Sequence, residues 1–287
     1  MNKTFVDFPH AQVIVSDNGS TDETYKLRRT HMQNSLNIFP NTRHWLEQDM
    51  DIGAFANMRI VLLAAKTEYC VYLGDDDYLL PEQVAKGIDY LERNPLVNVY
   101  YAPCEYWDEV RQESVCKAFD GVDTTFYARD EEKLWRFIIG GNVFPENAIY
   151  RRDGLEKILR PRVRAYWGFC DLANAFKQNP VHFAKTPFYR NITDHPVGHR
   201  ERLGMQRCTS DFDDIRGGLE NLAFDLFLYK EFDDVTKDGI HGVTKDWIHQ
   251  GIRQFITARL RIAHRILESQ RADNECVSYF KRIMVNQ

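Results

Sequence analysis

The sequence lacks any pair of cysteines spaced as in a zinc ribbon or a redox motif. Its six cysteines lie far apart, without a Cys-x-x-Cys spacing, and no histidine accompanies them at the spacing of zinc ligands. This pattern excludes the common cysteine-based metal sites. It predicts a reduced chain of the kind found in the cytosol.

Long apolar segments are also missing. The opening residues, MNKTFVDFPHAQ, do not contain the apolar stretch of a signal peptide. The longest apolar runs, such as IVLLAA at residues 60–65, are too short to cross a bilayer. We therefore expect a cytoplasmic protein that is neither exported by this route nor integral to a membrane.

An excess of positive charge is absent too. The formal net charge is −5 and the isoelectric point is about 6.0, so the chain has no general attraction for nucleic acid. We expect no nucleic acid partner. The 287 residues, of which 44% are hydrophobic and 28% charged, are ordinary for one large globular domain or for one domain with an appendage.

Strand-like and helix-like segments alternate over roughly the first hundred residues. The predicted strands are residues 12–16, 69–73 and 97–103, and the predicted helices are residues 52–65 and 81–93. Such alternation predicts parallel strands joined by helical crossovers, which is an α/β sheet. After the first strand, the spacing of Ser20 and Glu23 predicts a capping box at the start of another helix.

The pattern changes toward the end of the chain, where from about residue 210 it predicts helices only. We place a boundary near residue 205, between a sheet-containing domain (1–205) and a helical extension (206–287). Within 251–271, apolar side chains share one helical face and arginines occupy the rest. This predicts either a helix packed on the domain with a solvated basic face, or peripheral attachment to the anionic inner face of a membrane.

Acidic residues follow two of the predicted strands. Asp17 ends the first strand, and Asp75, Asp76 and Asp77 follow the second. Ligands of parallel sheets bind at the carboxyl ends of the strands, and adjacent carboxylates stay ionised cheaply only when water or a cation screens them. Because Mg²⁺ is commonly held by one or two carboxylates together with phosphate oxygens, the pattern predicts a site for a metal and a nucleotide. The alternative is a solvated acidic turn that caps the helix beginning at Pro81.

Five segments, in order, resemble the family 2 glycosyltransferases of the GT-A fold. They are VIVSDNGSTDET, DIGAFANMRIVLLAAKTEYCVYLGDDDYLLPE, GGNVFPENAIYRR, WGFCDLANAFK and AKTPFYRNITDH, and they cover residues from about 11 to 200. The resemblance implies a GT-A mixed sheet with flanking helices. It also implies an inverting, metal-dependent enzyme that uses Mn²⁺ or Mg²⁺ and moves a sugar from a nucleotide-diphosphate donor to a glycan or lipid-linked acceptor. Such enzymes act in bacterial surface polysaccharide assembly.

The resemblance also implies roles for residues of the donor site. Asp17 would read the nucleotide base. Asn57, Asp75 and Asp76 would bind the nucleotide sugar, with Asp76 nearer the ribose.

Further roles follow for the metal and for catalysis. Within the Asp-x-Asp element of the family, Asp77 would be the principal metal ligand, with Asp75 and His195 as further ligands. Asp171 stands where the family places its catalytic base, which takes the proton of the acceptor hydroxyl.

The sequence departs from the family in ways that keep other functions open. Only ten residues precede Ala11, so the first βα unit of the family, with its nucleotide-binding turn, is expected to be missing. Gly74 replaces the first acid of the usual LDSDD, and Cys170 replaces the acid before the base. One alternative is a catalytically silent, truncated relative that acts as a binding or scaffolding protein. A metal-dependent phosphohydrolase or nucleotidyltransferase is disfavoured, because the sequence offers no obvious nucleophile or triphosphate-binding loop.

Overall fold

The computed structural model describes residues 8, 11–20, 42–160, 165–194, 212–228 and 245–269. Within these ranges the chain is a mixed α/β protein with three hydrogen-bonded sheets and flanking helices. The strands are β1 (Val13–Asp17), β2 (Thr42–Glu47), β3 (Tyr69–Val71), β4 (Tyr78–Leu79), β5 (Val99–Tyr101), β6 (Cys104–Asp108), β7 (Glu113–Lys117), β8 (Thr124–Phe126), β9 (Ala148–Arg151), β10 (Val181–Phe183) and β11 (Tyr189–Asp194). The helices are α1 (Ala54–Ala64), α2 (Pro81–Arg93), α3 (Glu131–Gly140), α4 (Leu155–Ile158), α5 (Trp167–Gln178), α6 (Phe212–Ala223) with the π-helical turn Phe224–Leu228, and α7 (Lys245–Ser269).

The largest sheet has five strands in the order β3-β9-β5-β10-β8. Strand β9 runs antiparallel to both β3 and β5, so β3 and β5 point the same way, and β10 is parallel to β5. The predicted parallel strands with the helical crossover α2 are therefore present. The antiparallel strand between them was not predicted, because β9 comes from much later in the chain and its short apolar segment carries no signal of where it pairs.

Two smaller sheets complete the set. Strands β1 and β2 form a parallel pair, and β4-β11-β6-β7 form a mixed sheet in which β11 is antiparallel to β4 and parallel to β6. Strand β4 directly follows the three aspartates. As a consequence, β11 lies beside a turn that precedes it in the chain by 115 residues, counted from Asp77 to Ile192.

Helix α2 begins and ends where the sequence predicts. Pro81 occupies its first turn, where a missing N–H costs nothing, and Val84, Gly87 and Leu91 form its buried face. A Cβ atom at Gly87 would lie 2.6 Å from Cδ1 of Ile149 on β9, so the helix packs directly on the sheet through this glycine. This contact fixes the chain just downstream of the aspartates.

The C-terminal helices share the hydrophobic core of the largest sheet. Phe255 of α7 packs edge-on against Phe169 of α5 at 5.5 Å between ring centroids, and Ile252 and Ile256 are buried beside it. The apolar face of α7 therefore packs on the rest of the protein. This arrangement is the first of the two alternatives predicted for this helix. The predicted boundary near residue 205 falls outside the described residues. No helix in the described ranges is long and apolar enough to cross a membrane.

Candidate active site

The acidic turn, residues Gly74 to Asp77, connects β3 to β4. It closes through a weak hydrogen bond from the N–H of Asp77 to the carbonyl of Gly74 at 3.4 Å. Asp75 and Asp76 are exposed to solvent, whereas Asp77 is half-buried. Two of the three aspartates therefore project together from the carboxyl end of a strand in the largest sheet.

Asp77 is held by three hydrogen bonds from β11. Its Oδ2 accepts from the hydroxyl of Tyr189 at 2.7 Å and from the side-chain amide of Asn191 at 3.2 Å. Its Oδ1 accepts from the backbone N–H of Ile192 at 3.0 Å. Burial raises the pKa of the Asp77 carboxyl group, and the hydrogen bond from Tyr189 opposes that rise. Unlike its two neighbours, Asp77 is therefore fixed against a strand.

Asp17 is the last residue of β1 and is 8% exposed. Its Oδ1 accepts a hydrogen bond from the backbone N–H of Ser20 at 3.0 Å, which makes an Asx turn. The predicted capping helix after Ser20 lies outside the described residues. Gly19 has a φ of +74°, which favours glycine, and a Cβ atom there would lie 2.4 Å from the carbonyl carbon of Met50.

The loops that follow β1 and β2 are joined by side-chain contacts. The amide of Asn18 donates to Asp51 at 2.6 Å, and its oxygen accepts the N–H of Ile52 at 3.1 Å. Asn57, on α1, accepts a hydrogen bond from the hydroxyl of Ser16 at 2.6 Å. The structure thus brings Asn57 to the end of β1, next to the residue that precedes Asp17.

Asp171 lies on α5 and is 0% exposed. Among the described residues, no group donates a hydrogen bond to either carboxylate oxygen, and the hydroxyls of Tyr101 and Tyr150 also have no partner. Burial raises the pKa of Asp171 well above its ordinary value, while the positive charge of Arg59 acts in the opposite sense. The structure thus places Asp171 inside the core together with two tyrosines. Its role as a catalytic base stays a prediction.

A metal site made by protein side chains alone is not found in the described part of the chain, where no three His, Cys, Asp or Glu residues are grouped to hold an ion. The exposed pair Asp75 and Asp76 offers hard oxygen ligands, which suit a Mg²⁺ or Mn²⁺ ion whose remaining ligands are phosphate oxygens and water. His195, the other predicted ligand, lies outside the described residues.

A fourth carboxylate acts on the acidic turn from the loop between α3 and β9. Burial raises the pKa of Glu146 to about 7, with Arg259 lowering it and the charge of Asp77 raising it further. Arg259 extends from α7, donates to the carbonyl of Asn142 at 3.0 Å and lies over the ring of Phe144 at 4.7 Å. The last described helix therefore supports a loop that neighbours the turn.

Comparison with known families now places the chain. The family model named Glycosyl transferase family 2 matches residues 2–159, which is more than half of the sequence. The chain belongs to glycosyl transferase family 2. The match includes both acidic segments, at Asp17 and at the acidic turn.

Curated relatives of this member of family 2 align over a short region. A protein of Mycobacterium tuberculosis (strain ATCC 25618 / H37Rv), itself named as uncharacterized, is 35% identical over 98 residues, which is 34% of this chain and 27% of that protein. A protein of Mycobacterium bovis matches to the same extent. The aligned part spans little more than a quarter of the length of these relatives.

Two solved structures share the fold. S. aureus TarS 1-349 in complex with UDP has a TM-score of 0.51 and 14% identity, covering 99% of this chain and 85% of that one. The mannosyltransferase PcManGT from Pyrobaculum calidifontis, in complex with GDP-Man and Mn²⁺, has a TM-score of 0.50 and 14% identity, covering 98% of this chain and 73% of that one. The predicted GT-A fold class is confirmed.

Sequence reasoning missed several residues around the candidate site of this family 2 member. Tyr189, Asn191 and Glu146 all lie in segments that carry the family resemblance, yet nothing in the local pattern marks them as neighbours of the acidic turn. The pairing of β11 with β4, between strands far apart in the chain, brings Tyr189 and Asn191 to the turn. Glu146, in the loop between α3 and β9, is linked to the turn through the charge of Asp77. A tyrosine and an asparagine at alternate positions of one strand, facing the same side, is the one local signal that was available.

The adjacent arginines Arg151 and Arg152 carry charges that could serve either a phosphate-binding or a structural role. Arg152 donates to the carbonyls of Ala65 at 2.8 Å and Leu63 at 3.2 Å, at the C-terminal end of α1. Arg151 similarly donates to the carbonyl of Leu91 near the end of α2. Both guanidinium groups therefore satisfy carbonyls at helix ends, which favours the structural role.

Proposed function

We propose that this protein transfers a sugar, with inversion, from a nucleotide-diphosphate donor to a hydroxyl group of a glycan or lipid-linked acceptor, and that Mn²⁺ or Mg²⁺ assists. Family membership supports the reaction class. The observation that carries the proposal is the acidic turn, which exposes two carboxylates at a strand end while the third is anchored from behind. Neighbours of the same fold are complexes with UDP and with GDP-Man and Mn²⁺, in agreement with such a donor.

The donor's base and sugar would lie against the ends of β1 and α1. Asp17 keeps one carboxylate oxygen in the Asx turn with Ser20, and its second oxygen can accept an N–H of the base. Asn57, held by Ser16, would orient the nucleotide sugar. Because both side chains are tied to β1, this half of the site is held in place before the donor binds.

The diphosphate would lie over the acidic turn. When bound there, a divalent cation neutralises the diphosphate and stabilises the charge that develops on the leaving group. We assign Asp75 and Asp76 to face it, because both are exposed. Asp77, which the sequence predicts as the principal metal ligand, already accepts three hydrogen bonds, so we assign it to hold the turn.

An inverting transfer also requires a base for the acceptor hydroxyl. Asp171 is the candidate given by the sequence. Its carboxyl group is enclosed in the described structure, so an acceptor would reach it only after neighbouring side chains move. We keep this assignment as a hypothesis, which the Asp171→Asn substitution described in the Discussion tests.

The acceptor class and a place in bacterial surface polysaccharide assembly rest on the family resemblance alone. Contact with an anionic membrane would have to use exposed arginines such as Arg253 and Arg261, because the apolar face of α7 is buried. Sedimentation with neutral and anionic vesicles tests this contact. Equal binding to both, or binding to neither, would contradict it.

The central experiment is calorimetric titration of UDP, GDP, ADP, CDP and dTDP into the protein, with and without Mn²⁺. We expect one nucleotide to bind best and to bind more tightly with the metal than without it. Replacing both Asp75 and Asp76 by asparagine should weaken that binding about 100-fold or more, because two charge-assisted contacts are lost. Asp89→Asn, at an exposed aspartate of α2, is the matched control and should bind as the wild type does.

Failure of every nucleotide to bind a demonstrably folded protein would contradict the proposal. It would then favour the alternative of a catalytically silent relative with a binding or scaffolding role. Binding that is unaffected by Mn²⁺ would retain the donor site but remove the metal from it.

A further inference from the structure

One side chain contacts both ends of the acidic turn. The hydroxyl of Tyr189 accepts a hydrogen bond from the backbone N–H of Gly74 at 2.9 Å and donates one to Oδ2 of Asp77 at 2.7 Å. Tyr189 is 6% exposed and sits on β11, in register with Leu79 of β4. A single buried oxygen atom therefore joins the first and the last residue of the turn.

We propose that Tyr189 is a positioning residue of the donor site, whose hydroxyl holds the acidic turn in the arrangement that presents Asp75 and Asp76 to a metal-bound diphosphate. This inference rests on the proposed function. Tyr189 itself does not contact the donor; it acts through the turn.

Other contacts of β11 reinforce the same arrangement. The N–H of Leu80, just beyond the turn, donates to the carbonyl of Phe188 at 2.8 Å. Asn191 and Ile192 add their two hydrogen bonds to Asp77. The strand and Phe188 before it thus hold the segment from Gly74 to Leu80, in which Asp75 and Asp76 are the solvent-exposed residues.

The glycine at the start of the turn fits this role. A Cβ atom at Gly74 would lie 3.0 Å from Oδ2 of Asp77 and 3.2 Å from the hydroxyl of Tyr189. Both distances are shorter than ordinary van der Waals contact, so a side chain at Gly74 would require the Asp77 carboxylate and the Tyr189 hydroxyl to shift by a few tenths of an ångström. Glycine stands at this position in place of the acid that is usual in the family. Because Gly74 has no side chain, the hydroxyl of Tyr189 has room beside it.

Holding the turn matters because its two exposed carboxylates repel each other. In a free turn they would separate, and bringing them together for a cation would cost conformational entropy and electrostatic free energy at the moment of binding. A turn that is already fixed in the folded protein does not lose this conformational entropy or electrostatic free energy again when the cation binds. Loss of the hydroxyl should therefore appear mainly in metal-dependent affinity.

The test is Tyr189→Phe, which removes one oxygen atom and leaves the ring. Affinities for UDP, GDP, ADP, CDP and dTDP are measured by calorimetry with Mn²⁺, and are compared with the affinities for the same nucleotides without metal. We expect about tenfold weaker binding in the presence of Mn²⁺ and little change in its absence. Tyr90→Phe is the matched control, because its hydroxyl bonds to Thr125 at 2.7 Å in a contact between α2 and β8. This variant should bind as the wild type does.

A second substitution disturbs the same contact from the other side. Gly74→Ala should weaken the Mn²⁺-dependent affinity in the same way, whereas Gly140→Ala, where a Cβ atom meets nothing within 4 Å, should not. The variants Gly74→Ala and Gly140→Ala also keep the test usable if Tyr189→Phe does not fold.

The outcomes separate this inference from the function on which it rests. Wild-type protein that binds none of UDP, GDP, ADP, CDP and dTDP with Mn²⁺ would overturn the proposed function and the positioning role with it. Wild-type binding that Tyr189→Phe and Gly74→Ala leave unchanged would overturn the positioning role alone. An equal loss with and without Mn²⁺ would also overturn it, because that result indicates a general disturbance of the site.

Discussion

The acidic turn and the surroundings of Asp171 show how differently one fold treats the same type of side chain. In the turn, Asp77 accepts three hydrogen bonds from β11, and its two neighbours face solvent. Inside the core, Asp171 is completely enclosed, and neither of its oxygens accepts a hydrogen bond from any described residue. Both regions lie close to the largest sheet. The difference between them therefore comes from how deeply each carboxyl group is buried and from the hydrogen-bond donors around it.

The comparison teaches what each region can do chemically. Carboxylates in water, or with several donors, keep their charge at little cost and are suited to hold a cation or to face a phosphate. An enclosed carboxyl group without donors is favoured in its neutral form, and burial accordingly raises the pKa of Asp171 well above its ordinary value. The turn is therefore suited to charge stabilisation, while Asp171 is suited to bind a proton tightly or to serve the structure.

The largest effect is expected at Asp171, and it would assign a task to the enclosed carboxyl group. If Asp171 is the base, Asp171→Asn should lower turnover by about 10²- to 10⁴-fold, because the amide cannot take a proton. Donor affinity should stay nearly unchanged, because the base acts on the acceptor. The melting temperature should be unchanged or higher, because asparagine cannot adopt the charged form that burial disfavours. Single-turnover kinetics, calorimetry and thermal melting measure the three quantities.

A buried aspartate with a partner provides the control for that variant. Asp225 is also buried, but it accepts a hydrogen bond from Lys177 at 2.5 Å. Asp225→Asn should therefore lower the melting temperature while turnover persists. Turnover retained in Asp171→Asn would contradict the role of Asp171 as a base and leave it a structural residue.

A smaller effect should separate the aspartates within the turn. Asp77→Ala leaves three donors of β11 without their acceptor, so we expect the free energy of unfolding to fall by about 2 kcal/mol. Asp75→Ala removes an exposed side chain and should change it by less than about 0.5 kcal/mol. Urea unfolding at neutral pH measures both. Equal losses in the two variants would contradict the anchoring role of Asp77 and the distinction made here between it and its neighbours.

Local sequence signals predict the secondary structure on both sides of the acidic turn. The strand before it and helix α2 after it both follow from local signals: an apolar run and a proline in the first helical turn. The partners of Asp77 do not follow from such signals. They lie on β11, more than a hundred residues away, and only the pairing of strands brings them to the turn.

The burial of Asp171 had a signal that sequence reasoning can use. Residues Gly168 to Phe176 of α5 are all buried, and their sequence, GFCDLANAF, is apolar or small on nearly every side of the helix. A helix without a polar face lies inside a protein, so an aspartate within it is expected to be enclosed. The absence of hydrogen-bond donors around it depends on three-dimensional packing, which this pattern does not encode.

The last prediction concerns a buried polar group that does have partners, and it tests the comparison from the other side. His182 on β10 is buried, bonds through Nδ1 to the hydroxyl of Thr125 at 2.9 Å and stacks on Tyr90 at 3.9 Å between ring centroids. Burial lowers its pKa from 6.5 to about 4. Between these pH values the unfolded chain therefore binds a proton at this histidine and the folded chain does not. The contribution of His182 to the free energy of unfolding is fully present above pH 6.5 and is lost toward pH 4, by up to about 3 kcal/mol.

Urea unfolding of the wild type and of His182→Phe between pH 7 and pH 4 measures this contribution as the difference in slope of the free energy of unfolding against pH, with the exposed His249→Gln as the control. Identical slopes for the wild type and His182→Phe would contradict this prediction. They would mean that His182 becomes charged in the folded protein without loss of its contacts, so that its burial does not exclude the proton.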